Sequence, residues 1–303
     1  MTDTLRTLIF ENASCRAQMI HLDNAWQNIA SHNHHPTPVM TVLGELVAAS
    51  AMLSASLKFE GSLILQIQGD GPIRLLVAEC NSRLGLRATV KLREGAHIPD
   101  DASFMDLVNA QGKGLCAIIL DPRNRMPGQS PYQGIVPLTG QSVASSLEAY
   151  MHSSEQLETK LVLNANARLA AGLMLQQMPL DGGKGAGPNH DPDGWSRLCA
   201  LAQTLQTDEH LNTDTFELAK RLFWEEAPGV LAERKAHFEC TCSREKVGAM
   251  LITLGQDELN DALSENPVVE VQCDFCNANY QFTAEDCKTL FEGGEPPASN
   301  TLH

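Results

Sequence analysis

FECTCSREKV (residues 238–247) and VQCDFCNANYQF (residues 271–282) decide how this chain is read. The first carries a Cys-x-Cys pair, Cys240 and Cys242, and the second a Cys-x-x-Cys pair, Cys273 and Cys276. The 30 residues from Ser243 to Gln272 separate them. Four thiolates are the complement of a closed tetrahedral zinc site with no open position, so the residues point to one structural Zn²⁺. A turn brings residues three apart to within about 7 Å at Cα, which lets both sulfurs of the second pair reach one ion. In the first pair, residues two apart on an extended strand share a face. Buried free cysteines are the alternative, disfavoured because isolated core thiols do not usually come as two close pairs.

The same four residues support a second chemistry. Thiolates bind metal and also react with oxidants, so a four-cysteine zinc site can serve as a redox sensor. On oxidation, a disulfide between Cys273 and Cys276 would close across a turn with little strain. One between Cys240 and Cys242 would sit near the upper limit of about 6.8 Å in Cα separation. The segment from Phe238 to Phe291 has room for only a marginal core, so loss of an ion worth about 10–16 kcal/mol would unfold it.

Working outward, the 303 residues leave room for two domains, and 43% of them are apolar. Acidic residues outnumber basic ones by 37 to 22, a net charge of −15 that disfavours a nucleic-acid partner. The start, MTDTLRTLIFENASCRAQMI, lacks a basic stretch with an apolar run behind it, and no run approaches 18 consecutive apolar residues. These features set the expectation of a cytoplasmic chain with no membrane partner. Nine cysteines in a reducing compartment then point to metal or redox chemistry rather than a permanent disulfide framework.

His32, His34 and His35 precede Pro36 and Pro38 and read as a polar loop, because no ligand of another kind stands beside them. Leu43, Leu46, Val47, Leu53 and Leu57 recur with helical period among small residues, predicting a largely buried helix over Val39 to Leu57. Alternation around Gly69-Asp70-Gly71-Pro72 predicts a hairpin, followed by a strand with Leu84, Leu86, Ala88, Val90 and Leu92 on its inner face. Further strands are expected at Cys116 to Leu120, Tyr132 to Val136 and Lys160 to Leu163, and a helix near Ser142 to Met151. The class is α+β: an N-terminal domain of antiparallel sheet and helices, a helical linker region and a small C-terminal zinc-binding redox-switch domain. No catalytic constellation emerges, which sets the expectation of a protein that is not an enzyme. Cys15, Cys80, Cys116 and Cys199 read as core or half-buried thiols.

DGGKGAGPNHDPDG (residues 181–194) breaks the composition and reads as a flexible linker. Beyond it, Trp195, Leu198, Leu201, Ala202 and Leu205 predict one amphipathic helix, and Phe216, Leu222, Phe223 and Trp224 another ending before Pro228. The expected domains are 1–180, a linker region 181–236, a zinc-binding domain 237–291, and a disordered tail 292–303. Within the third, Ser243 caps a helix through Leu254 that Gly255 closes, and a short helix spans Asp257 to Ser264. Val268 to Gln272 form a strand, Tyr280 and Phe282 start its hairpin partner, and Cys287 falls on a later helix away from the metal.

VLGELVAASAMLSASLKFEGSLILQIQGDGPIRLLVAEC (residues 42–80), YQGIVPLTGQSVASSLEAYMHSSEQL (132–157) and, above all, CTCSREKV with VQCDFCNANYQF resemble the heat shock protein 33 family, the bacterial 33 kDa chaperonin. The similarity runs over nearly the whole chain. It implies an ATP-independent holdase that is idle when reduced and zinc-bound. Oxidants under unfolding conditions then form disulfides within each pair, Cys240–Cys242 and Cys273–Cys276. Zinc leaves, the switch domain and linker unfold, and the chain forms a homodimer. It holds unfolded client proteins until ATP-dependent chaperones refold them. Two rival classes, a nucleic-acid-binding zinc module and a thiol oxidoreductase, need respectively basic residues near the ion and disulfide turnover.

Overall fold

A computed structural model describes residues 3–124, 130–178 and 191–292. In chain order the elements are β1 (Thr4–Phe10), β2 (Cys15–Leu22), α1 (Asn24–Ser31), α2 (Thr37–Ser56), β3 (Gly61–Gln68), β4 (Ile73–Asn81), β5 (Gly85–Leu92), α3 (Phe104–Val108), β6 (Leu115–Pro122), β7 (Tyr132–Pro137), α4 (Val143–Ser154), β8 (Thr159–Ala165) and β9 (Ala170–Gln177). They continue with α5 (Gly194–Gln203), α6 (Thr207–Asn212), α7 (Thr215–Phe223), β10 (Gly229–Lys235), β11 (His237–Phe238), α8 (Arg244–Leu254), α9 (Gln256–Glu265), β12 (Val268–Gln272), β13 (Asn279–Thr283) and α10 (Ala284–Glu292). The chain divides into two compact units, Met1–Glu239 and Cys240–His303.

In the first unit α2 lies between two sheets. One is antiparallel with strand order β10-β1-β2-β9-β8; the other runs β11-β5-β4-β3-β6-β7 and is antiparallel apart from the short β11–β5 pairing. Because α2 packs on strands of both sheets, it has no solvent face to keep polar, and Val39, Leu43, Leu46, Val47 and Met52 are all fully buried. By length and composition α2 could cross a membrane, but 78% of that window is buried inside the unit. Close approach demands small residues. A Cβ on Gly44 would meet Ala165 Cβ at 2.5 Å and the Trp26 ring at 3.2 Å.

The predicted hairpin, the strand after it and the strands at Cys116 to Leu120 and Tyr132 to Val136 are observed as β3 to β7 of the six-stranded sheet, whose inner face carries the alternation of β3. The strand at Lys160 to Leu163 is β8 of the five-stranded sheet. His32, His34 and His35 lie in the connection from α1 to α2, as a polar loop should. Asp70 is a turn residue: its carboxylate accepts from the backbone N–H of Gln111 and, at 2.7 Å, of Lys113.

Where they are described, the residues expected as a helical linker carry the two predicted amphipathic helices, α5 and α7, and these are part of the first unit. The apolar faces of α5 and α7 pack on the outer face of the five-stranded sheet, where Leu198, Ala202, Leu218 and Phe223 meet Leu8, Phe10, Cys15, Ala17, Met19, Leu173 and Leu175. Phe10 and Phe223 stack edge to face at 5.1 Å. β10 then pairs along β1, since without a partner that strand would leave a row of backbone groups unbonded. The first unit thus runs on past residue 236, through His237 and Phe238, to Glu239. Most of the glycine-rich stretch, 181–190, and the tail after 292 fall outside the described residues.

The second unit is small. α8, α9 and α10 pack on the β12–β13 hairpin around Val247, Leu251, Leu259, Phe282 and Cys287. Its elements follow the sequence reading closely. The Ser243 hydroxyl accepts from Lys246 N–H at the start of α8, and Gly255 ends that helix at φ +101°, where a side chain would be strained.

Candidate metal centre

Two loops of the second unit present the four cysteines. Cys240 and Cys242 lie in an irregular segment just before α8 rather than on a hydrogen-bonded strand, which is a departure from the extended-strand expectation. The Lys246 ammonium donates to Thr241 O at 2.8 Å, so the first turn of α8 fastens the residue between the two ligands. Cys273 to Cys276 form the turn that follows β12. Cys273 N–H donates to Ala278 O and Asn277 N–H to Cys273 O, both at 2.9 Å. Asn277 takes the left-handed conformation, φ +57°, which its short polar side chain tolerates.

These local folds bring all four sulfurs within 4.8 Å of one another. The Sγ–Sγ distances are 3.7 Å for Cys240–Cys273 and 3.4 Å for Cys242–Cys276. With metal–sulfur bonds of about 2.3 Å, a regular tetrahedron has edges of about 3.8 Å. A disulfide would need about 2.05 Å, and all four are free thiols. The donor set therefore fits one tetrahedral cation. Among the described residues it is the one group of three or more metal-ligating side chains so arranged. Two of the close contacts, Cys240–Cys273 and Cys242–Cys276, join the loop before α8 to the loop after β12.

The surroundings favour a cation at the centre. Burial, and then hydrogen bonding with the other three sulfurs, pushes the Cys276 thiol up, as expected for crowded sulfurs with no positive charge among them. The Tyr280 hydroxyl donates to Cys242 Sγ at 3.0 Å, and that bond pushes its own pKa up to about 12. Arg244 stacks over the Phe282 ring at 4.2 Å, donates to Gln281 O at 2.6 Å and pairs with Asp286 at 3.0 Å, clamping α8 to β13 and α10. Neither Tyr280 as a sulfur donor nor Arg244 as a clamp was evident beforehand. The available signal was that Tyr280 and Phe282 share one face of β13, four and six residues past Cys276.

The other five cysteines stand apart from this cluster. Cys15, Cys80 and Cys116 are buried, with thiol pKa values pushed up to about 12 by that burial. Cys199 is half-buried and raised to about 11 by the same cause. Cys287 is buried in the core of the second unit, and burial raises it too. Such thiols hold little thiolate and react slowly.

Fold and site together define a class: an α+β protein with a large sheet-and-helix unit and a small C-terminal unit closed on four cysteine sulfurs. The sequence model of the Hsp33 protein family matches residues 3–283, and the chain belongs to that family. The 33 kDa chaperonin of Methylobacillus flagellatus is 44% identical over 292 residues, covering 96% of this chain and 95% of that protein. The 33 kDa chaperonin of Chromobacterium violaceum is 40% identical over 290 residues, covering 96% and 94%. The crystal structure of the 33 kDa chaperonin, a heat shock protein 33 homolog, from Thermotoga maritima shares the fold, with a TM-score of 0.78 at 20% identity over 97% of this chain and 99% of that one. The chain is accordingly a chaperone by family.

Proposed function

We propose that the protein is a redox-regulated, ATP-independent holdase whose second unit is the switch. Cys240, Cys242, Cys273 and Cys276 would hold one Zn²⁺ in the reduced state. When bound, the ion supplies a cross-link between two loops and keeps all four sulfurs as thiolates. The observation that carries the reading is the cluster of four free sulfurs, all within 4.8 Å of one another and contributed by two separate loops. Oxidation within the pairs, to Cys240–Cys242 and Cys273–Cys276, unties one loop from the other, whereas cross-pair disulfides would preserve the tie. Each disulfide takes two electrons from a pair of thiolates, and these electrons with two protons from solvent reduce one hydrogen peroxide to two waters as the zinc ion is released to solution.

Untied, the second unit retains only a five-residue buried core, too little to hold three helices and a hairpin. Its melting reaches the chain before it. There, α5 and α7 sit on an apolar sheet face, and lifting them would uncover Phe10, Met19 and Leu173 to unfolded clients. The net charge of −15 keeps the opened chain soluble. In this reading the active form is a homodimer in the cytoplasm, binding is stoichiometric rather than enzymatic, and clients pass to ATP-dependent chaperones.

The test compares reduced and peroxide-treated protein at raised temperature as suppressors of light scattering by a thermally unfolding test protein. Suppression by the oxidised form alone, reversed by a thiol reductant, is the expected result. Equal behaviour of the two forms would sink the proposal.

A further inference from the structure

A second candidate site lies within the first unit. Between α2, α4, β3 and β6 is a cavity of about 140 Å³, lined by Leu53, Leu63, Ile118, Leu120 and Met151. Arg16 projects into it from β2. Its neighbours Cys15 and Ala17 point to the opposite face of the sheet, under α5 and α7, so alternation directs Arg16 toward α2. The guanidinium donates through Nη2 to Gln176 Oε1 at 3.1 Å. Its Nε is buried with no hydrogen-bond partner. Among the described residues no carboxylate forms an ion pair with it, and burial works against its charge.

A half-buried guanidinium beside apolar walls, with one N–H unsatisfied and no counter-charge, is costly unless an anion completes it. Glu155, which also lines the cavity, is otherwise engaged: its Oε1 accepts from the hydroxyls of Tyr132 at 3.1 Å and Tyr150 at 3.2 Å. Tyr132 and Leu57, 52% and 39% exposed, are the solvent-facing part of the lining, so a solute has a way in.

We propose that this cavity binds a small carboxylate. Its apolar body, about the size of a benzene ring for a space of this volume, lies among Leu53, Ile118 and Leu120. Its carboxylate accepts from the guanidinium of Arg16 where that group lines the cavity, supplying the missing charge. Neither the metal centre nor the holdase reading depends on this site.

The experiment uses the full-length reduced protein, titrated calorimetrically with phenylacetate, phenylacetamide and N-acetylphenylalanine amide. Phenylacetate should bind saturably and at least about tenfold more tightly than the isosteric amide, as a charge-assisted hydrogen bond requires. Arg16→Met, checked for folding by circular dichroism, should abolish that preference and keep the weak amide binding. Equal affinity for acid and amide, or no saturable binding of the acid, overturns the proposal. N-acetylphenylalanine amide binding as tightly as phenylacetate also overturns it, by making the cavity a receptor for apolar side chains. Should Arg16→Met fail to fold, the acid-against-amide comparison on the unmodified protein decides alone.

Discussion

Phe282→Ala tests whether metal binding and folding of the second unit are one equilibrium. Phe282 is 1% exposed and packs with Val247, Leu251, Leu259 and Cys287 under the Arg244 guanidinium. Truncating a buried phenylalanine costs about 3–5 kcal/mol. If the metal-free unit is already unfolded, that loss falls only on the folded, metal-bound state and must appear in full as weakened metal affinity. At about 1.4 kcal/mol per decade, the apparent dissociation constant for zinc should rise roughly 150- to 4000-fold. Binding worth about 10–16 kcal/mol would still hold the variant folded at saturating zinc. Competition against a chromophoric chelator under reducing conditions measures the shift, with circular dichroism following helix content. Equal affinities for variant and parent, with unchanged helix content in both metal-free forms, would refute the coupling and leave the unit folded by its own core.

Three further outcomes follow from the first unit. Burial raises the pKa of Glu45 on α2 from 4.5 to about 7, so the folded chain holds that proton more tightly than the unfolded one and stability falls as pH climbs through this window. Glu45→Gln should therefore gain about 1–3 kcal/mol at pH 8 and much less at pH 5, as read by denaturant melts. His210 behaves oppositely: burial lowers its pKa from 6.5 to about 4, so the unfolded chain takes up the proton first and about 3 kcal/mol is lost as pH falls from 6.5 to 4. His210→Gln should flatten that acid limb, and an unchanged slope would exclude the histidine as its cause. Phe223→Ala removes the ring that meets Phe10 at 5.1 Å, costs about 3–5 kcal/mol, and should raise binding of an apolar fluorescent dye in the reduced state. Unchanged dye binding would mean that α7 does not cover the sheet face on which client capture is proposed to depend.

The second unit was legible almost element by element, because each boundary has a local chemical cause. Ser243 and Gly255 cap α8, and Val268 to Phe282 alternate as a hairpin must. The five-stranded sheet was not legible to the same degree. β2 is buried on both faces, between α2 on one side and α5 with α7 on the other, so period-two alternation never develops in CRAQMIHL. β9, AAGLMLQQ, has the alanine, leucine and methionine of a helix, and pairing with β2 and β8 overrides that propensity. β10 is an edge strand with Val230 and Leu231 exposed, a pattern that reads equally well as linker. Of the metal centre, the four ligands were readable from spacing. The Tyr280 bond to Cys242 and the Arg244 clamp are tertiary contacts that carry no local signature.

The most direct measurement is a single peroxide titration of the reduced, zinc-loaded protein at raised temperature. Zinc release, remaining thiols, disulfide connectivity by peptide mass mapping and suppression of test-protein aggregation are followed in the same sample. The expected result is loss of four thiols per zinc released, disulfides Cys240–Cys242 and Cys273–Cys276, and suppression rising in step. Zinc release through these disulfides while aggregation proceeds unchecked would contradict the account and leave the four sulfurs a structural site only.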